Sequence, residues 1–388
     1  MLSRFSPSTN ICNPVWLHAC SVGEVNLISP LVRLWKDFFP STKLLITSST
    51  ATGYDQAKRK YASLCEEVCF CPFDHPRVVS KFFTSIKPCL LILTETEIWP
   101  NLILTGKKEG VPIVVINGRI SDKAFRRYKA LRFALKEIFR SIDFVFAQSD
   151  EYASRFEALG VLPERIQVAG NMKYDAIPTE VSPSVRNKIK VELGIPNDGI
   201  VIVFGSLRDG DEKVAKFIWD ELKEKINNMW LILVPRHPEK KGKILDCFAD
   251  EKIILRTDNL KGIKSEGRIV VVDTIGELTS FYSIASIAII GGSWLPGVEG
   301  HNPLEPAGLG VVSIFGKYMR NFQEPAEKLV SGKGAIQVQD FREIPFLVES
   351  LLREPYEYIN FGTRAREIVL QNQGVSNKIL MQIAKFLD

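Results

Sequence analysis

The 388-residue chain has no apolar run of about 18 residues, so nothing in it reads as a membrane span. Residues 1–14 lack the apolar segment of a secretory signal, and any membrane contact is expected to be peripheral. Histidine is scarce, with four in the chain, and the seven cysteines stand at 12, 20, 65, 69, 71, 89 and 247. None of these has zinc-ligand spacing, and an odd, irregular set argues for reduced, mostly buried thiols in the cytosol. There is no HExxH pattern, so a metal centre is not expected. Low-complexity tracts are absent too, which excludes a disordered linker protein.

What is present is an ordinary globular composition, 45% apolar and 24% charged. Single cores stop growing at roughly 250–300 residues, so this length implies two domains. The net charge of +5 is unevenly placed. Residues 1–175 carry 23 basic against 17 acidic side chains, and ten basic residues face three acidic ones between 107 and 140. Such a cluster is either a solvated face or an attractor for phosphates and anionic membranes. Nucleic acid is not the expected partner, because no helix-turn-helix, RRM or zinc-finger pattern accompanies the charge.

Near-continuous apolar runs alternate with amphipathic segments along the whole chain, the pattern of a doubly wound α/β fold with parallel strands buried on both faces. Strands are expected at 15–20, 43–49, 68–73, 89–95, 112–118, 144–148 and 166–170, then at 200–206, 230–235, 253–256, 269–274, 285–292 and 311–316. Two such sets imply two Rossmann-like domains, 1–178 and 179–365, with the boundary in the Pro- and Ser-rich stretch 176–184. A last helical segment, about 366–388 within a stretch beginning near 356, is expected to pack back on the first domain.

Ligands in open α/β sheets bind beyond the carboxyl ends of strands, and the polar motifs sit there. HACSVGEVN, residues 18–26, follows the first strand and opens a helix. Ser21 and Gly23 suit its tight turn, and Glu24 falls in the first helical turn. A glutamate there either complements the helix dipole or, at the mouth of the sheet, takes a proton from an attacking hydroxyl. LILTETEIWPNLI, residues 91–103, ends a strand with Glu95 and Glu97. If the chain stays extended, both carboxylates point to one side, where one could hold a basic partner or orient a substrate. INGRISDKAFRRYKALR, residues 116–132, leaves a strand through Asn-Gly and then carries Arg119, Lys123, Arg126 and Arg127.

In the second half, Gly205 and Ser206 end a strand before a polar turn and helix, an arrangement suited to an anion. Arg236 and His237 stand just past another strand end, where an arginine fork can grip phosphate. GGSWLPGVEGHNPLEPAGLG, residues 291–310, is a long Gly/Pro-rich loop after a buried strand. Its glycines allow close backbone approach to a phosphate, and His301, Asn302 and Glu305 lie among its turns.

Taken together, HACSVGEV, ETEIWPN, NGRIS, GNMKYD, PRHPEK, DTIGEL and VEGHNPLEP resemble, in order and spacing, the 3-deoxy-D-manno-octulosonic acid (Kdo) transferases of lipopolysaccharide synthesis. The resemblance spans about residues 15–321. It implies a GT-B fold, two Rossmann-like domains facing each other across a cleft, with a lipid acceptor-binding domain first and a CMP-sugar donor-binding domain second. It further implies an inverting, metal-independent transfer of Kdo from CMP-Kdo to a lipid A precursor, with no cofactor, at the cytoplasmic face of the inner membrane. On the matching positions, Glu24 is the general base and Glu95 a second essential carboxylate. Donor contacts fall on Ser206, Arg236, His237, Gly276, Glu277, Gly300, Asn302 and Glu305, and acceptor contacts on Ser21, Gly23, Arg119, Lys123, Arg126 and Arg127. The chain departs from the family in having Leu207-Arg208 where Thr-His is usual and Glu299-Gly300 where Gly-Gly often precedes the histidine. It also starts without the hydrophobic anchor many members carry, so peripheral attachment is the expectation. The rival readings are another GT-B enzyme with a UDP-sugar donor, a transferase or an epimerase, and a non-catalytic sugar-nucleotide or lipid-binding protein.

Overall fold

A computed structural model describes residues 11–262 and 266–387. Fourteen strands are present among them: β1 Val15–His18, β2 Leu44–Ser48, β3 Glu67–Phe70, β4 Leu90–Thr94, β5 Ile113–Gly118, β6 Phe144–Ala147, β7 Ile166–Val168, β8 Ile200–Leu207, β9 Met229–Pro235, β10 Ile253–Leu255, β11 Ile269–Val271, β12 Ile287–Ile290, β13 Val312–Phe315 and β14 Ala335–Gln337. They form two seven-stranded sheets, ordered β3-β2-β1-β4-β5-β6-β7 and β10-β11-β9-β8-β12-β13-β14. Pairing is parallel throughout, from Val15 opposite Leu44 in the first sheet to Ser313 opposite Ala335 in the second. The chain divides into two compact units, residues 1–176 with 372–388 and residues 177–371.

The strands form where β-branched and aliphatic residues run together. In β1, β2, β4, β8 and β9 nearly every side chain is buried, because helices cover both faces of a parallel sheet. Each fully buried Val, Leu, Ile or Phe contributes about 1.5–3 kcal/mol of burial. β14 lies outside the expected strand set. It is three residues long at a sheet edge, runs from buried Ala335 to exposed Gln337, and so lacks the continuous apolar run of its neighbours. β3 ends earlier than the apolar stretch 68–73 because Pro72 cannot extend the ladder.

The C-terminal stretch consists of two helices. Pro355–Gln371 belongs to the second unit, whereas Val375–Ile383 lays Val375, Ile379, Leu380 and Ile383 into the core around Val15, Leu31 and Trp35 of the first. Gly374, at φ +88°, makes the break. The Asp175 carboxylate caps the new helix by accepting from the amides of Gly374, Val375 and Ser376.

In each sheet the chain order turns back at the first strand, giving a switch point between β1 and β4 and another between β8 and β12; in the second sheet β11 also lies inside β10. Within each unit, the carboxyl ends of the two strands at the switch point are where such folds bind ligands.

Candidate active site

The polar residues of the first unit's switch point follow β1, β4 and β5. Ser21 is the N-cap of helix Val22–Leu27, at φ −121°, and Glu24 stands at its third position. The Glu24 carboxylate accepts from the Cys20 amide at 2.9 Å and from Ser21 Oγ at 3.1 Å, closing a variant of the capping box. The first-turn position expected of Glu24 is thus observed. Each carboxylate oxygen has two lone-pair sites and accepts one of these bonds, so capacity for a further proton remains. Burial raises Glu24 to about 7, with Glu97 and Glu95 adding to the rise and the Cys20 amide opposing it. A carboxylate tuned to neutrality at a switch point is poised for proton transfer.

Glu95 and Glu97 part company. Glu95 takes φ +55°, so the chain turns as it leaves β4 instead of staying extended. Glu95 meets Arg119 Nε at 3.2 Å. Glu97 instead faces His18, whose Nε2 lies 3.6 Å from its Oε2, and also accepts from Trp99 Nε1 at 2.8 Å. The expectation of two carboxylates side by side fails because the left-handed turn breaks the alternation on which it rested.

His18 is fully buried, with Nδ1 2.9 Å from Thr47 Oγ1 and 3.2 Å from the Thr47 carbonyl. Burial works against its charged form, but Cys71 and Glu97 outweigh that and push it up to about 10. The imidazolium and its hydrogen bonds hold Glu97 below the usual carboxylate range despite burial. Cys20 Sγ, Glu24 and Glu97 each offer a ligand atom within 4.8 Å of the others, a geometry open to an ion. Burial and the neighbouring carboxylates push the Cys20 thiol up to about 12.

Past β5, Ser121 caps helix Asp122–Ala130, in which no side chain is buried. Phe125 and Tyr128 lean on the core, while Lys123, Arg126, Arg127 and Lys129 point outward. Beyond them Leu131 and Phe133 are 55% and 84% exposed, with the Arg132 guanidinium 5.0 Å above the Phe133 ring. Basic and large apolar side chains are thus exposed together along residues 123–133.

The second unit gathers its polar groups past β8, β9, β11 and β12, four neighbours in the sheet. Ser206, near the end of β8, sits at φ +57°. Gly291 is required beside it, since a Cβ there would stand 2.5 Å from the Ser206 carbonyl oxygen. Arg236, exposed, and His237 follow β9 directly. Gly276, at φ +91°, and Glu277 precede helix Leu278–Tyr282. The Glu277 carboxylate is held by buried Arg256 at 2.9 Å and by Thr274 Oγ1, which keep it below its ordinary range against burial. Gly300 is at φ +79°, and Asn302 Nδ2 reaches Glu305 at 3.4 Å. Burial raises the Glu305 carboxyl, with Asn302 and Arg236 opposing the rise.

Sequence reasoning missed three side chains that organise these sites. His18 was hidden inside an apolar run, and Asp211 behind a polar turn. Asp211 Oδ2 accepts from the amides of Arg208 and Gly292 at 2.8 and 2.7 Å and so clasps β8 to the loop after β12. Arg208 is the third.

Two parallel doubly wound units of this topology define a GT-B fold. A UDP-GlcNAc 2-epimerase from Neisseria meningitidis has the same fold, with a TM-score of 0.65 at 14% identity over 96% of this chain and 100% of that one. Residues 2–176 match the family described as 3-deoxy-D-manno-octulosonic-acid transferase (kdotransferase). A 3-deoxy-D-manno-octulosonic acid transferase of Chlamydophila psittaci is 31% identical over 89% of this chain and 80% of its own length. A bifunctional glycosyltransferase/methyltransferase of Fusobacterium nucleatum subsp. nucleatum is 35% identical over 88% of this chain, which spans 53% of that protein. The chain belongs to the Kdo transferase family of glycosyltransferases.

Proposed function

We propose that the protein transfers Kdo from CMP-Kdo to a hydroxyl of a lipid A precursor with inversion at the anomeric carbon, the first unit taking the acceptor and the second the donor. The observation that carries the reading is Glu24, a carboxylate raised to about 7 at the switch point of the first sheet. Glu24 takes the proton of the acceptor hydroxyl as that oxygen bonds to the anomeric carbon. The bond from that carbon to the donor phosphate breaks, and CMP departs with the electron pair. Charge growing on the phosphate meets Arg236 and the loop amides after β12, and this is where stabilisation counts most. No covalent intermediate, metal or cofactor enters the step. Glu95 holds Arg119, the first cation of the acceptor-facing stretch, and positions it.

The test is incubation with CMP-Kdo and tetra-acylated lipid A precursor, with product mass read in Kdo increments. CMP should stabilise the protein in a thermal shift and UDP should not. Stabilisation by UDP with no Kdo adduct would favour the rival donor and overturn the reading. CMP binding without CMP release from CMP-Kdo would favour the non-catalytic one.

Peripheral attachment at the cytoplasmic face of the inner membrane is part of the same proposal. Among the described residues no helix is long and apolar enough to cross a membrane, and residues 1–10 lie outside them. The exposed stretch bearing Arg126, Arg127, Leu131 and Phe133 suits an anionic, partly apolar surface. Changing Arg126 and Arg127 to Ala together should weaken sedimentation with anionic vesicles several-fold at low ionic strength, and added salt should erase the difference. Equal binding at low salt would leave this stretch a plain solvated surface.

A further inference from the structure

Just past β8, Arg208 is held in an unusual way. Its Nε donates to His301 Nε2 at 3.2 Å, and its Nη1 lies 3.0 Å from His237 Nε2. Both partners are imidazoles, and among the described residues the guanidinium makes no ion pair with a carboxylate. Asp211 feels its charge but directs Oδ2 to the backbone amides of Arg208 and Gly292. Two imidazole nitrogens fix the fork in place with no carboxylate paired to it among the described residues, the reverse of a structural arginine such as Arg256, which is closed by Glu192 and Glu277.

The clamp is itself built. His301 packs on Gly292, at φ +68°, where a Cβ would come within 3.1 Å of the ring. Burial, reinforced by Arg208 and Arg236, lowers His301 to about 4, so it remains a neutral acceptor. His237 Nδ1 faces Glu239 Oε1 at 3.3 Å, which puts the ring hydrogen on that side and leaves Nε2 to accept from Arg208.

Arg208 lines a cavity of about 190 Å³ with Leu207, Pro235, His237 and Val298. That is below the roughly 300 Å³ at which small-molecule pockets begin, so it suits one phosphoryl group rather than a whole nucleotide. Lys240 and Lys243 reach the same cavity, but Asp209 engages them at 3.7 and 2.8 Å. Glu212, also on its wall, turns its carboxylate to the Gly210 amide at 2.7 Å.

We infer that Arg208 is a donor-binding residue that grips the phosphate of the sugar nucleotide with its free guanidinium edge, and that His237 and His301 are its positioning residues. The inference rests on the reading of the second unit as the donor unit, and it adds a phosphate contact to that reading. With Nε and Nη1 each engaged by a histidine, the Nη2 group and the second N–H of Nη1 are left for phosphate oxygens, a planar geometry lysine cannot reproduce.

The experiment is calorimetric titration of wild type, Arg208→Ala and Arg208→Lys with CMP and, separately, with cytidine. Arg208→Ala should weaken CMP about 10–100-fold and leave cytidine within twofold, so the affinity ratio between the two ligands collapses. Arg208→Lys should recover only part of that ratio. If Arg208→Ala does not fold, Arg208→Gln carries the same comparison. An unchanged ratio, or an equal loss for CMP and cytidine, overturns the inference. Wild type that binds UDP and not CMP would sink the Kdo-donor reading instead, and the UDP-to-uridine ratio in the same variants would then decide Arg208 by the same criterion.

Discussion

Replacing Glu24 by Gln is expected to lower kcat for Kdo transfer by about 10²–10⁴, the span of general-base loss, while CMP affinity stays within about twofold of wild type. Glutamine retains a side-chain oxygen that can accept from the Cys20 amide, so the cap on helix Val22–Leu27 largely survives and the deficit reports on proton transfer. Glu24→Ala leaves the Ser21 cap but removes the reciprocal bond to the Cys20 amide as well, and should cost up to about 1 kcal/mol of stability, which glutamine should not. The pair of variants therefore separates the two roles the carboxylate plays. Wild-type kcat/KM should rise with pH through about 7 and then level off, because burial raises Glu24 to that value and the ionised form is the active one. The sign is opposite for stability: a carboxyl raised by burial favours the folded state while protonated and loses that advantage as pH climbs from about 4.5 to about 7. Near-normal turnover by Glu24→Gln on lipid acceptor would remove Glu24 as the base. A rate that keeps climbing far above pH 7 would reassign the titrating group.

The architecture was legible because parallel strands buried on both faces must be apolar at nearly every position, as in the runs that became β2, β4 and β9. β14 escaped for the same reason, since an edge strand with one exposed end has no such run. The position of Glu24 was legible as a glutamate in the first turn of a helix at the close of a strand, whereas its box with Ser21 and the Cys20 amide was not. Nor was the elevated acidity range of Glu24, because that depends on burial and on Glu97 and Glu95, which sit more than 70 residues away along the chain. His18 read as one more strand residue, and only the pairing of β1 with β2 and β4 brings Thr47 and Glu97 to its two nitrogens. Likewise Arg208, His237 and His301 lie on three separate loops, and the order of β9, β8 and β12 in the sheet gathers them. Local pattern thus announces strands and caps, whereas hydrogen-bond partners and shifted titrations arise from strand order.

His18→Leu should destabilise the fold by about 3 kcal/mol near pH 6. Breaking a buried pair costs roughly 3–5 kcal/mol because the surviving charge is left uncompensated. The low end applies here, since the Glu97 side chain keeps 18% exposure and a second donor in Trp99 Nε1. The pH dependence identifies the cause. His18 is raised from 6.5 to about 10 on folding, so its contribution is complete below pH 6.5 and fades as pH rises toward 10. Glu97 is lowered from 4.5, so its contribution is complete above pH 4.5 and fades as pH falls further. Both are at full strength from about pH 4.5 to 6.5, and the gap between wild type and His18→Leu should be widest there and clearly narrower at pH 9. Urea denaturation at pH 5.5 and pH 9 measures it. Adding Glu97→Gln to His18→Leu should recover part of the loss at pH 5.5, because no unpaired carboxylate then remains beside the apolar side chain. A gap of equal size at the two pH values would mean that His18 is neutral in the folded protein and that leucine merely disrupts its packing and its bond to Thr47.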